Sequence, residues 1–259
     1  MNKLFKIKLL ILPILIGSIS YGQDTIKTNS SWHFKVEPNI LFPHMKGKAG
    51  ISSALPTVEV DQKAGDFLKH LKFAGMISAE AENENWVITA DLLYASLEEN
   101  VKKAPILYSG KLTAKELMIE AGLLRKIYPW LEAGVSLNLV NLNSSADINV
   151  INPTSGNINH FYKSISKTWI DPMIVVRTKS NSNSNFLYSA TGKIGGFGIG
   201  SDLVWEVEGL LGYRFNHYFY AMGGYQYMSI DYKSGNNNSY LKYDMDTFGP
   251  MIKLGININ

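Results

Sequence analysis

Glu206 and Glu208 stand two residues apart, and Glu116 and Glu120 four apart. On an extended strand either spacing puts both carboxylates on one face, about 7 or 14 Å apart at 3.3–3.4 Å per residue. The shorter separation suits an acid–base pair that works through a water molecule. Acids that line one strand face meet at such spacings by chance, however, and a second partner is required. The five histidines are His33, His44, His70, His160 and His217. None shares a strand face with a serine two residues away, as a nucleophile and base at an outer rim would need, and none has metal-ligand spacing. Asp244 and Asp246 bring two carboxylates to a site that would need six to eight oxygens for calcium. Gly192 to Gly200 carries five glycines. No strand–Gly-rich–helix context follows, so close packing or bending of strands explains them better than phosphate binding. The chain is therefore read as not an enzyme, with no metal and no cofactor.

The charges become orderly when parity is considered. In successive segments Trp86, Ile88, Ala90, Leu92 and Tyr94 oppose Asp91, and Leu117, Ile119, Ala121 and Leu123 oppose Glu116 and Glu120. Leu131, Ala133, Val135, Leu137 and Leu139 oppose Glu132, and Ile170, Pro172, Ile174 and Val176 oppose Asp171 and Arg177. Leu203, Trp205, Val207, Leu211 and Tyr213 oppose Asp202, Glu206, Glu208 and Arg214. Ile252, Leu254, Ile256 and Ile258 oppose Lys253 and Asn257. A face that meets lipid holds charge only at a cost of roughly 2–4 kcal/mol for a midplane Arg or Lys. The apolar faces are thus expected outside. Asp91, Glu116, Glu120, Arg125, Glu132, Asp171, Arg177, Lys193, Glu206, Glu208 and Arg214 are expected to meet inside as a lumen charge network, either a structural plug or a path for small ions or solutes.

The elements that position these residues are strands. Period-two alternation recurs over ten segments, near 32–42, 72–82, 86–97, 112–125, 130–141, 167–178, 186–199, 201–215, 218–232 and 241–258. Most reach the 9–11 residues of a tilted membrane strand. Connections near 83–85, 126–129, 179–185 and 216–217 are short, whereas those at 43–71, 98–111, 142–166 and 233–240 are long. Only the connection near Gly200 breaks the alternation. Short turns on one side and long loops on the other are the asymmetry of outer-membrane barrels. Trp32, Trp86, Trp130, Phe186 and Tyr218 open the odd segments, and Phe42, Phe73, Tyr94, Trp169, Trp205 and Tyr243 fall near the opposite ends. Both sets are read as membrane-interface girdles, where one ring edge is apolar and the other tolerates water. Within the first long connection, Asp61 to Leu71 is read as a short amphipathic helix with Asp61 as N-cap and Ala64, Phe67, Leu68 and Leu71 on one side.

The N-terminus supplies the address. Lys3, Lys6 and Lys8 precede an apolar stretch from Leu9 to Ile19, and Ser20 and Gly22 suit cleavage before Gln23. That stretch is too short to span a bilayer of roughly 30 Å as a helix. Its removal leaves as many basic residues as the 22 acidic ones, which removes the footing for a nucleic-acid partner. No cysteine follows the apolar stretch, so a lipoprotein is excluded, and no disulfide is available. No later segment offers about twenty consecutive apolar residues, which excludes a helical membrane protein but not a barrel.

Trp169-Ile170-Asp171-Pro172 with Arg177, then Gly195 to Asp202 with Trp205, then Gly212-Tyr213-Arg214, follow one another in order. Gly224-Tyr225, Asp231-Tyr232 and Gly249-Pro250 complete the run. Together with Trp32 to Pro38 and Trp86 to Tyr94, the chain resembles a family of small Gram-negative outer-membrane β-barrels of uncharacterised function. The resemblance implies a fold and an address but no reaction. Val175 stands where that family tends to have Gly, and the chain ends on Asn259 where such barrels usually end on an aromatic.

These readings converge on an all-β protein: a signal peptide over 1–22 and, over 23–259, a single antiparallel up-and-down transmembrane β-barrel. Ten strands are expected, within a range of 8–12, with a short helix in the first outer loop. The expected role is structural, or narrow porin-like solute or ion passage through a lumen largely filled by side chains. Its expected partners are the lipid of the outer membrane and the barrel-assembly machinery, and it is expected to be a monomer. The competing readings are a barrel enzyme acting on lipid or peptide, and a periplasmic barrel binding a ligand inside. The second would require the opposite parity.

Overall fold

The computed structural model describes residues 32–50, 57–101, 107–151, 156–181, 184–235 and 240–258. The segment read as a signal peptide lies outside the described residues. In chain order the strands are β1 (His33–Leu41), β2 (His44–Gly50), β3 (Val58–Gln62), β4 (Leu71–Glu82), β5 (Trp86–Val101), β6 (Leu107–Tyr128), β7 (Leu131–Ile151), β8 (Ile158–Lys179), β9 (Phe186–Gly195), β10 (Leu203–Arg214), β11 (Phe219–Ser234) and β12 (Leu241–Ile258). One helix, α1 (Ala64–His70), precedes β4. All strand pairs are antiparallel. β1 pairs with β4 on one side and with β12 on the other, so β1 and β4 to β12 close into a ring of ten strands. The seam runs from Phe34 opposite Ile258 to Leu41 opposite Met251. Closure leaves no unpaired edge within the ring, which is what a sheet in hydrocarbon requires.

Local chemistry fixes the short turns. Asn83 Oδ1 accepts from the amides of Asn85 (2.9 Å) and Trp86 (2.8 Å). Asn216 Oδ1 accepts from those of Tyr218 (2.8 Å) and Phe219 (2.9 Å). An asparagine that bonds its own backbone in this way mimics a turn and ends a strand without a long loop.

The long side differs from expectation. The 43–71 connection contains a hairpin, β2–β3, in which β2 pairs with the outer part of β12, from Lys242 opposite Gly50 to Phe248 opposite His44. β12 thus holds β1 along its inner part and β2 along its outer part. The helix spans Ala64–His70, not 61–71. Asp61 lies in β3, and the capping position is Lys63, which makes no side-chain cap. The Asp61 carboxylate is engaged by His44 across the hairpin at 2.7 Å, so it is not available to the helix. β6, β7 and β8 run 21–22 residues each, through most of the 98–111 and 142–166 connections. Outside the membrane both strand faces meet water or polar groups. Alternation therefore fades while the hydrogen-bond ladder continues.

Outward side chains form an apolar band. Between Trp86 and Tyr94 it runs about 26 Å along the strand, or roughly 20 Å along the normal at the tilt of about 40° usual for barrels. Trp205 stacks on Tyr227, Tyr227 on Phe248, and Phe248 meets His44, in one row across β10, β11, β12 and β2. Phe73 and Tyr94 meet across β4 and β5 at the same level. On the short-turn side Trp86, Phe186 and Tyr213 are exposed outward, and Trp130 stacks on Tyr128 beside its turn. Trp32 and Tyr218 are likewise exposed, Tyr218 in the turn before β11. Trp169 and Tyr243 depart from the girdle reading: both are buried inside the ring. Trp169 shares its parity with Asp171 and Met173, and Tyr243 with Met245, so the strand that exposes Ile170 and Ile174 must turn Trp169 inward.

Candidate functional site: the barrel lumen

The inward faces carry a network of charges whose largest group lies toward the short-turn end. Arg177 of β8 is its centre. Its Nε donates to Glu132 Oε2 on neighbouring β7 (2.7 Å), and its Nη1 donates to Glu80 Oε2 on β4, four places away around the ring (2.6 Å). Lys179, two residues on, meets Glu82 (2.6 Å), Glu132 (2.8 Å) and Glu80 (3.3 Å). Lys35 of β1 reaches Glu80 at 3.2 Å and Lys126 of β6 reaches Glu82 at 3.2 Å. A second group joins Lys193 of β9 to Glu120 of β6 (2.8 Å) and Glu206 of β10 (3.3 Å). Lys253 of β12 pairs with Glu208 at 2.9 Å, and the Tyr220 hydroxyl donates to Glu37 at 2.5 Å. That last contact needs Gly255: the Tyr220 ring lies where a Cβ at 255 would stand. Glu132 is fully buried and Glu80 nearly so. Buried charges are tolerable when each finds an opposite charge or hydrogen bonds, and this layer provides them.

Asp171 is solved differently. It is fully buried and is held by three donors: the Ser201 amide (2.6 Å), the Ser201 hydroxyl (2.8 Å) and the Trp169 indole N–H (3.0 Å). It anchors the tight outer connection Gly196–Asp202 against β8. Gly196 and Gly198 take positive φ there, and Gly200 sits against the Ile170 carbonyl and the Asp171 carboxylate. The glycine run thus serves a turn and a close approach.

Arg125 is a correction to the expected lumen set. It faces outward with Leu123 and stands over the Trp86 ring at 5.3 Å, at the short-turn interface. Its odd number gives it the parity of Leu117 to Leu123, and at the rim a guanidinium can reach headgroups and water. Asp91 lines a central cavity, Arg214 lines the wide vestibule below it, and Glu116 lies in the outer part of the lumen. Lys35, Glu37, Glu80, Glu82, Lys126 and Lys179 also belong to the lumen, although their parity against Phe34, Val36, Ala79 and Ala81 was the only signal for them.

Three compartments stack along the axis. A vestibule of about 850 Å³ opens among the short turns, lined by His33, Lys35, Arg214 and Tyr218 among others. Above it a cavity of about 130 Å³ lies within the charged layer. Asn39 Oδ1 and Gln226 Oε1, which have no protein hydrogen-bond partner, line it, and the volume suits a few bridging waters. Further out the lumen turns apolar. Met118, Val140, Trp169, Met173, Val204 and Met228 fill it, with Trp169 stacked on Tyr232 at 3.8 Å.

Two histidines expected in loops lie on strands, each beside an aspartate: His44 with Asp61, and His160 with Asp147, both at 2.7 Å. Cross-strand pairing brings them together, which residue spacing along the chain does not show. Asp244 lies 3.4 Å from Lys242. Among the described residues no group of three or more His, Cys, Asp or Glu is arranged to hold a metal.

No family model and no curated protein matches the chain. Solved structures do. The outer membrane protease OmpT from Escherichia coli aligns with a TM-score of 0.53 at 11% identity, over 88% of this chain and 98% of that one. The Pseudomonas putida toluene transporter TodX aligns at 0.36 and 10% identity, over 88% and 90%. Ail, the attachment invasion locus protein of Yersinia pestis, aligns at 0.36 and 8%, over 87% and 99%. These neighbours include a protease and proteins that are not described as enzymes, and at such identities the likeness speaks for architecture alone. The chain has the fold of the Gram-negative outer-membrane β-barrels.

Proposed function

We propose that this protein is an integral outer-membrane barrel closed toward its short-turn end by its own side chains, structural in role or passing only small ions or solutes. It enters the membrane as a monomer through the barrel-assembly machinery after cleavage of residues 1–22. The observation that carries this reading is the Arg177 clamp. A guanidinium that binds β7 and β4 at once crosses the lumen, and Lys179 repeats the crossing one tier nearer the short turns. The apolar filling further out adds a second barrier to ions.

No catalytic activity is assigned. The lumen acids are engaged by cations or by donors, Glu116 by the Tyr243 hydroxyl, apart from Asp91, which has no cation within salt-bridge distance among the described residues. The two His–Asp pairs lie on the outward faces of their strands, and none of the three lumen cavities is lined by either pair.

Planar-bilayer recording tests the closed lumen. The wild type is expected to show no porin-like open level, and Arg177→Ala or Glu206→Ala to show small, brief openings. A large steady conductance in the wild type overturns the reading.

A further inference from the structure

The outermost part of the lumen holds a cavity of about 390 Å³, lined by α1, β2 and β3 on one side and by β5 to β8 and β12 on the other. Its wall is apolar, with Met45, Val60, Phe67, Leu142, Ile165 and Met245. Glu116 stands in this wall. Glu80, Glu82, Glu120, Glu132, Glu206 and Glu208 each have a lysine or arginine within 3.3 Å. Glu116 has instead one hydrogen bond, from the Tyr243 hydroxyl at 3.3 Å, and no cationic nitrogen within 4 Å among the described residues. The other charged lining groups do not supply one. Glu98 is held by Lys72 (3.2 Å) and Lys111 (2.9 Å), Lys163 is exposed, and His70 is the last residue of α1. A carboxylate drawn into an apolar wall with one weak donor is costly unless it takes a proton or a cation completes it.

We infer that this cavity binds a small amphiphilic amine, its ammonium on Glu116 beside the Tyr243 hydroxyl and its apolar body against the methionine, leucine and phenylalanine wall. The size is set by the volume. An apolar cavity of about 150 Å³ takes benzene, so about 390 Å³ takes two fused rings or a comparable branched chain. The site lies beyond the charged layer and does not depend on whether that layer conducts. A ligand held here stays on the outer side of the seal.

The test uses the full barrel in lipid nanodiscs, with empty nanodiscs as the partition control. The probes are 2-(1-naphthyl)ethylamine, the alcohol of the same shape and 1-naphthylacetate, measured by titration calorimetry. Saturable binding of the amine is expected, with the alcohol at least about tenfold weaker, as one lost charge-assisted hydrogen bond implies, and the anion weaker still. Glu116→Gln is expected to reduce amine affinity to that of the alcohol, and Ala114→Trp, at a β6 position that lines the cavity two residues from Glu116, to abolish both. Heat-modifiable migration on gels confirms that each variant is folded, and the comparison of the three probes on wild type needs no variant at all. No binding above empty nanodiscs, an anion as tight as the amine, or an unchanged amine affinity in folded Glu116→Gln overturns the inference.

Discussion

Replacing Arg177 by alanine removes the guanidinium that, with Lys179, ties β8 to both β7 and β4. It leaves Glu132, with no exposed surface, and Glu80, at 6% exposure, facing each other across the lumen. Removing one partner from a buried ion pair typically costs 3–5 kcal/mol, because the remaining charge is stranded. Here Lys179 still lies 2.8 Å from Glu132 and 3.3 Å from Glu80, and Lys35 still lies 3.2 Å from Glu80. Those residual cations place the expected loss at the lower end, about 3 kcal/mol. The assay is reversible urea unfolding from vesicles, followed by tryptophan fluorescence. A second variant isolates the cause: Arg177→Met with Glu132→Leu removes the charge on both sides and is expected to recover at least half of the loss, as apolar replacement of a buried pair often does. A loss below about 1 kcal/mol for Arg177→Ala, the level of a surface ion pair, would refute the argument that the clamp is buried and shared. So would a double variant no better than the single one.

Other expectations test the remaining tiers. Val135→Arg places a guanidinium on the outward face of β7, where Val135 is 59% exposed to what surrounds the ring. A loss of about 2–4 kcal/mol in bilayers is expected, and none would mean that this face does not meet lipid. Asp171→Asn sets an amide N–H against the donors of Ser201 and Trp169. It is expected to cost about 1–3 kcal/mol and to make the Gly196–Asp202 connection cleavable in limited proteolysis, whereas an uncut connection would show that it is held by other contacts. At the outer surface, the hydrogen bond from His44 holds the Asp61 carboxyl below the ordinary aspartate range. Its contribution to the β2–β3 hairpin is therefore present above the unfolded-state pKa and lost as pH falls through the lowered folded-state value. Protease resistance of the hairpin should fall over that acid range in the wild type and be flat there in Asp61→Asn; parallel profiles would remove Asp61 from the account.

The number of ring strands, the sorting of short turns from long connections and the orientation of most charges are legible in the residues. A strand between lipid and lumen has no freedom of parity: Ile170, Ile174 and Val176 outside force Asp171 and Arg177 inside. The same rule, carried through, would have placed Trp169 inside and Arg125 outside, since each shares the parity of neighbours already assigned. The elements beyond the membrane were less legible. There the solvent no longer distinguishes the two faces, so the outer parts of β6 to β8 and the β2–β3 hairpin lose their period while keeping their hydrogen bonds.

What only the tertiary structure decided is who meets whom across the ring. Arg177 and Glu80 are 97 positions apart, and Tyr220 and Glu37 are 183 apart. No local spacing encodes such pairs, because they depend on strand order, closure and stagger together. For the same reason the sequence marks Glu116 as one inward acid among many, and only the closed barrel shows that its neighbours are apolar and that, among the described residues, no cation comes to it.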